Sequence, residues 1–221
     1  GNVFQIESDG MKKLFVGLKP DCLEDITAAV ALYRPGPLGA GILSSFVSRK
    51  HGRETITYDH PCLEEILKPT YGIIVYQEQV MAIAVKLAGY TLASADLLRR
   101  AMGKKKPEEM KKQKEIFING ATSLGIDSEL ASSVFEKLEY FAGYGFNKSH
   151  AAAYGWISYQ TAFLKAHFPT EFMAANLNSQ LGKADKLNQT IYEAKNMGIP
   201  VLVPDVNESV GNFSVIYKDG K

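Results

Sequence analysis

Cysteine, tryptophan and histidine are scarce in this chain, with two, one and four residues in 221. Cys22 and Cys62 lie far apart and match no metal-ligand spacing, so a disulfide framework and a zinc site are both set aside in favour of two idle thiols in a reducing compartment. No apolar run approaches the length of a membrane span, and the first residues lack the layout of a secretory signal. An excess of either charge is missing too. The 25 basic and 24 acidic residues give a formal +1, so any affinity for phosphate has to come from local clustering. No Asp-x-Asp pair occurs. Glu7-x-Asp9 and Asp127-x-Glu129 have the spacing, but both stand at helix starts, where acids complement the helix dipole. The converging carboxylates that hold two divalent ions for phosphoryl transfer are therefore lacking.

What is present reads as a mainly α fold, a multi-helix domain with minor short strands. Ser8 caps a helix carrying Met11, Leu14, Phe15 and Leu18 on one face. Leu23 to Leu32 is a second helix, ended by Arg34-Pro35-Gly36-Pro37, a rigid corner because each proline removes a donor and restricts its predecessor. Helical periodicity returns over Ile42 to Lys50, Pro61 to Leu67, Gln77 to Ala88, Thr91 to Met102, Pro107 to about Leu124, Leu130 to Phe141, Ser149 to His167, Glu171 to Ser179 and Ala184 to Met197. Thr55 to Tyr58 reads as a short strand or extended loop, and Ile73 to Tyr76 as a strand or a helix start. Val201 to Val203 and Phe213 to Tyr217 are β-like, and Tyr217 to Lys221 reads as one arm and the turn of a hairpin. With a beginning that lacks Met, this suggests a fragment of a longer protein. The division expected is a core over 1–167 and C-terminal helices with a β-like tail over 168–221.

Two segments carry chemistry. Between Leu98 and Lys114, eight cations fall within seventeen residues. Arg99 and Arg100 stand near a helix end, with Lys104, Lys105 and Lys106 in the turn beyond. A solvated helix end explains a few lysines. Adjacent arginines followed by a glycine and three lysines point further, to phosphate, because the guanidinium offers a bidentate fork. The second segment is Gly143-Tyr-Gly-Phe-Asn-Lys-Ser-His150, a glycine-rich turn opening a helix. It is not a P-loop, since Asn147 stands where glycine must precede the lysine. Asn147, Lys148, Ser149 and His150 offer backbone N–H groups, a cation and a hydroxyl at a helix start. Equally, Asn147 or Ser149 serves as a cap while His150 packs on Tyr154. Tyr76-Gln77-Glu78-Gln79 reads as a polar helix start explained by capping and solvation. The chain is thus equipped to grip phosphates and not to break their bonds.

Taken in order, Phe4-Gln-Ile-Glu-Ser8, Ala31-Leu-Tyr-Arg-Pro-Gly-Pro-Leu38, Arg49-Lys-His-Gly-Arg-Glu54, Tyr71-Gly-Ile-Ile-Val-Tyr-Gln-Glu-Gln-Val-Met81, the Leu98–Met110 segment, Phe141 to His150 and Phe168-Pro-Thr-Glu-Phe172 resemble the fingers of the bacterial C-family replicative polymerases, the DNA polymerase III alpha subunits. The likeness runs through essentially the whole chain. It implies a nearly all-helical fingers domain of a cytoplasmic DNA-directed DNA polymerase, covering the incoming dNTP. Arg99, Arg100 and Lys104 would face its phosphates, and Asn147, Lys148, Ser149 and His150 its sugar and base. The resemblance implies Mg2+ held by a palm domain outside this sequence. It also implies primer-template DNA, the palm and other holoenzyme components as partners, and no activity from this chain alone. The alternative from the residues is a stand-alone helical nucleic-acid-binding module whose basic segment tracks the backbone.

Overall fold

The apolar periodicity resolves into twelve α-helices among the described residues of a computed structural model, which are 2–104, 107–142 and 144–217. Lys105, Lys106, Gly143 and the turn expected at 218–221 lie outside them. In chain order the helices are α1 (Asp9–Leu18), α2 (Leu23–Leu32), α3 (Pro35–Gly39), α4 (Ile42–Lys50), α5 (Glu64–Leu67) and α6 (Gln77–Ala88). Then follow α7 (Leu92–Lys104), α8 (Pro107–Ser123), α9 (Ser128–Ala142), α10 (Lys148–His167), α11 (Pro169–Ser179) and α12 (Ala184–Asn196). The chain divides into two compact units, one comprising Leu14–Gly155 and the other the described residues up to Lys13 and from Trp156 onward.

In the larger unit α6 packs with α7, α8 and α9. Val80, Ile83 and Leu87, at helical spacing on α6, meet Leu98 and Met102 of α7, Phe117 of α8 and Phe135 and Leu138 of α9 in one buried cluster. Phe117 is its hinge-pin, with ring centroids 6.2 Å from Tyr90 and 5.4 Å from Phe135. Gly120 on α8 is required by contact, because a Cβ there would strike the Ala88 carbonyl at the end of α6. A second cluster gathers Leu18, Ala28, Leu32, Phe46 and Val75.

Residues 55–58 take the loop alternative, and 73–76 form neither a strand nor the start of α6, which begins at Gln77. Tyr76 makes an isolated parallel bridge to Phe146, and no strand occurs among the described residues. Gln79 is the reason at Ile73–Tyr76. Its buried side chain accepts from Val75 N at 2.8 Å and Tyr76 N at 3.0 Å, and donates to Ile66 O at 3.2 Å and Thr70 Oγ1 at 2.7 Å. Thr70 Oγ1 in turn donates to Ile73 O at 2.6 Å. Side chains therefore take the ladder's donors and acceptor, and Gln79 does cap the start of α6 as expected, but from a buried position and not a solvated one.

Prolines behave differently from expectation in two places, Pro35 and Pro169, while Pro61 opens its helical segment as expected. Pro35, Pro61 and Pro169 each occupy the first position of a helical segment, where the missing N–H costs nothing. The corner after α2 is thus the five-residue helix α3. Gly103 does not break α7, which continues to Lys104.

In the smaller unit α11 and α12 bury Phe172, Met173 and Ala194 against Ile199 and Val201, and Lys165 pairs with Glu193. The β-like tail is held without strands. Asn178 donates from Nδ2 to Phe213 O and accepts from Phe213 N, both within 2.9 Å, and Tyr217 donates its hydroxyl to Glu171 at 2.5 Å.

Candidate functional site

Helix α7 positions the first set of site residues. Arg99 and Arg100 follow Asp96 by three and four places, so one carboxylate meets both guanidinium groups on the same helical face. Asp96 Oδ1 accepts from Arg99 Nε at 2.9 Å and Nη2 at 2.7 Å, and Oδ2 pairs with Arg100 Nε at 2.8 Å. The hydrogen bonds from Arg99, with the charge of both arginines, hold the Asp96 carboxyl below its usual range. The Arg99 side chain is 31% exposed and that of Arg100 is 64% exposed. Arg99 is thus the fixed member of the pair and Arg100 the open one. Lys104, at the end of the same helix, is exposed.

The second set sits at the start of α10. Asn147 is the cap, its Oδ1 accepting from His150 N at 2.8 Å and from Ser149 Oγ at 2.6 Å. Glu78, from the first turn of α6, accepts from Lys148 N and from Asn147 Nδ2, both at 2.9 Å. Two helix-start N–H groups that the sequence offered to an anion are therefore already bonded to protein oxygens. Lys148 lies over the Tyr76 ring, Nζ 5.6 Å from its centroid. The His150 ring stands 4.2 Å from that of Tyr154 and 5.5 Å from that of Phe146. All four of Asn147, Lys148, Ser149 and His150 are exposed.

The N-terminus of α6 joins the two sets. Gln77 N donates to Phe146 O at 3.0 Å, and Phe146 N to Val75 O at 3.2 Å. The Gln77 side chain spans the gap, donating from Nε2 to Gly145 O and accepting at Oε1 from Arg99 Nη1, each at 3.3 Å. Gly145 leaves room for it, since a Cβ there would lie 3.1 Å from Gln77 Cγ and press on that side chain. Beneath the turn Arg34 donates to Ala31 O at 2.7 Å and to Tyr144 O at 2.5 Å, with its guanidinium 4.7 Å from the Phe146 centroid. Burial pulls its pKa below the usual arginine value. Arg34 is a strut committed to the backbone of the turn.

The result is a cleft of about 200 Å³ lined by Gln77, Val80, Arg99, Arg100, Gly103, Lys104 and Gly145. Three of the seven sequence-derived residues line it, and Gly145 brings the glycine turn to its edge. Asn147, Lys148, Ser149 and His150 are not among its lining. Chemically it presents three cations, one glutamine amide and backbone, with no carboxylate in the wall.

The group nearest to a metal site among the described residues is already held by a lysine. Among the described residues one group has three ligand-type side chains, Asp21, Cys22 and Asp25. The Lys50 ammonium already bridges its carboxylates, at 2.7 Å from Asp21 and 2.6 Å from Asp25.

Sequence reasoning missed Asp96, Gln77 and Glu78 as members of the site. Asp96 was findable, because its spacing from two arginines on a predicted helix is an ion-pair signal. Glu78 was not, standing 70 positions from Lys148 with nothing local to connect them.

A family model described as the bacterial DNA polymerase III alpha subunit finger domain matches residues 2–125. The chain is 57% identical to DNA polymerase III subunit alpha of Vibrio cholerae and 58% identical to that of Pseudomonas aeruginosa. It is 55% identical to that of Escherichia coli strain K12. Each alignment covers 96% of this chain and 19% of the relative, so the chain spans about a fifth of the length of the proteins it matches.

Proposed function

The chain belongs to the finger domains of the bacterial DNA polymerase III alpha subunits, and from that premise we propose that its cleft grips the phosphates of an incoming dNTP during template-directed DNA synthesis. The observation that carries the reading is the convergence of Arg99, Arg100 and Lys104 in one cleft with Gly145 of the turn that leads into α10. Phosphate oxygens suit that cleft. Arginine forks bond them in pairs, and a concave cationic surface strengthens each contact.

Roles follow from how firmly each group is held. Arg99, fixed by Asp96 and Gln77, is the pre-oriented donor. Arg100 and Lys104 are the exposed cations that close on the ligand. Asn147, Lys148, Ser149 and His150 stand beyond Gly145 and face the sugar and base side of the nascent pair. Bond making needs metal-held carboxylates from outside these residues. Mg2+ and the palm that binds it are part of the same reading, as are primer-template DNA, the other holoenzyme components and a cytoplasmic setting.

The test is Arg100→Ala in a full-length alpha subunit carrying this segment. Steady-state primer extension is expected to show kcat/KM for dNTP reduced by about 10- to 100-fold, the range for losing one charge-assisted phosphate contact. An unchanged kcat/KM would sink the assignment of this cleft to the nucleotide.

A further inference from the structure

Gln77 takes part in every link between the arginine helix and the glycine turn described above, yet neither its type nor its place at a helix start marks it as functional. It begins α6. Its backbone N–H is fixed by Phe146 O, so the side chain projects from an anchored base. The amide is then used at both ends. The carbonyl oxygen accepts from Arg99 Nη1, and the amide nitrogen donates to Gly145 O. A glutamine orients itself uniquely only when both ends have partners of opposite kind, as here. The next residue, Glu78, holds Asn147 and the first N–H of α10. Consecutive side chains at one helix start therefore grip the two halves of the site, Gln77 at the arginine and Glu78 at the cap.

Arg99 is the consequence. Asp96 fixes its Nε and Nη2 from the same helix, and Gln77 takes Nη1 from another. With Gln77 removed, the guanidinium keeps its ion pair, pivoting on one carboxylate oxygen, but loses its tie to the glycine turn. With Gln77 in place, any shift of the Gly145 turn displaces Arg99. We propose that Gln77 is a positioning residue that acts through Arg99, setting the arginine's orientation and coupling it to the turn that carries Asn147 to His150. The proposal rests on the reading of the cleft as a phosphate grip.

A double-mutant cycle tests it. Full-length alpha subunits bearing Gln77→Ala, Arg99→Ala and both changes are compared by primer extension, with KM and kcat for dNTP and the thermal midpoint of each measured. Gln77→Ala is expected to raise KM for dNTP about fivefold, the scale of one hydrogen bond to a charged group at long distance. In the Arg99→Ala background it is expected to raise KM no further, since neighbours that act as a unit are non-additive. Equal effects of Gln77→Ala in both backgrounds would overturn the proposal, as would a lowered thermal midpoint with KM unchanged. If Arg99→Ala itself leaves KM unaltered, the phosphate reading of Arg99 fails instead, which separates the two claims. Gln77→Glu supplies the same readout should the alanine variant not fold. It keeps the acceptor for Arg99 but sets a carboxylate against Gly145 O, so it is expected to raise KM while retaining the Arg99 dependence, and an unchanged KM would overturn the proposal.

Discussion

At the scale of single residues, the strongest constraint lies away from the cleft. Lys50 and Asp25 are both buried, with side chains 5% and 1% exposed, and pair at 2.6 Å. Tyr71 donates its hydroxyl to Asp25 Oδ1 at 2.8 Å, and Asp21 N donates to Oδ2 at 3.2 Å. Removing the carboxylate strands a phenol and a backbone donor and leaves the buried ammonium with Asp21 alone, so Asp25→Ala is expected to cost about 3 kcal/mol in a denaturant titration. Asp21→Ala, at an open position, should cost far less. The cluster also gives stability a pH signature. Burial works against the Lys50 ammonium, but its bonds to Asp21 and Asp25 win and hold its pKa above that of an ordinary lysine. Burial and the Asp25 bond push the Tyr71 phenol up to about 12. Both folded-state values are raised, so their contribution is complete below pH ~10 and is lost as pH rises through the folded values. Asp21 has the opposite sign. Its bond from Lys50 lowers its pKa, so its contribution is present above pH ~4 and is lost on acidification. Denaturation midpoints measured across pH should show both edges in the wild type, and Tyr71→Phe should soften the alkaline one.

At the scale of elements, the start of α10 shows why local rules predict a helix better than they predict a site. Asn and Asp are ordinarily interchangeable as caps. Here Asn147 also donates Nδ2 to Glu78, so Asp in its place would set two carboxylates against each other. Asn147→Ser is expected to lower stability by about 1 kcal/mol or less, and Asn147→Asp by more than the serine change, against the usual ranking. Adding Glu78→Gln should restore the aspartate variant, because the glutamine donates where the carboxylate only accepts. Chemical denaturation of the three variants decides it, and equal midpoints for Asp and Asn would contradict the Glu78 contact. The same contrast explains what could be read from the residues alone. Helices α2, α4 and α6 follow from apolar spacing and local stops, and their ends fall where the pattern places them. The run from Ile73, open between a strand and a helix start, became neither because Gln79 and Thr70 satisfy its backbone from a distance that periodicity does not register. The cation cluster was visible as composition, and its partner Asp96 as spacing. The link through Gln77 and the lock by Glu78 are tertiary contacts and left no local trace.

At the scale of the whole molecule, a nearly neutral chain gathers three cations in one cleft. Twenty-five basic residues against twenty-four acidic ones leave no general field to draw in a polyanion. What the cleft offers is a shaped cationic wall without carboxylates. Such a surface stabilises phosphate charge but supplies neither a nucleophile nor a place for the metal ions that phosphoryl transfer uses. The purified chain, given primer-template, all four dNTPs and a divalent cation, is therefore expected to extend no primer, and metal-dependent incorporation would contradict the division of labour argued above. Its binding should tell the same story. Inorganic tripolyphosphate is expected to bind weakly, to lose affinity as salt rises, and not to bind the triple variant Arg99→Ala, Arg100→Ala, Lys104→Ala. A stand-alone nucleic-acid-binding module would behave differently. Its DNA affinity would fall steeply with salt, would ignore added dNTP, and would survive loss of Arg99 because many spread cations share the backbone. Fluorescence anisotropy of labelled duplex, with and without dNTP and across a salt series, separates the two. A cleft built from one helix's cations and one glycine turn predicts competition between the duplex and the nucleotide, and independence would favour the module.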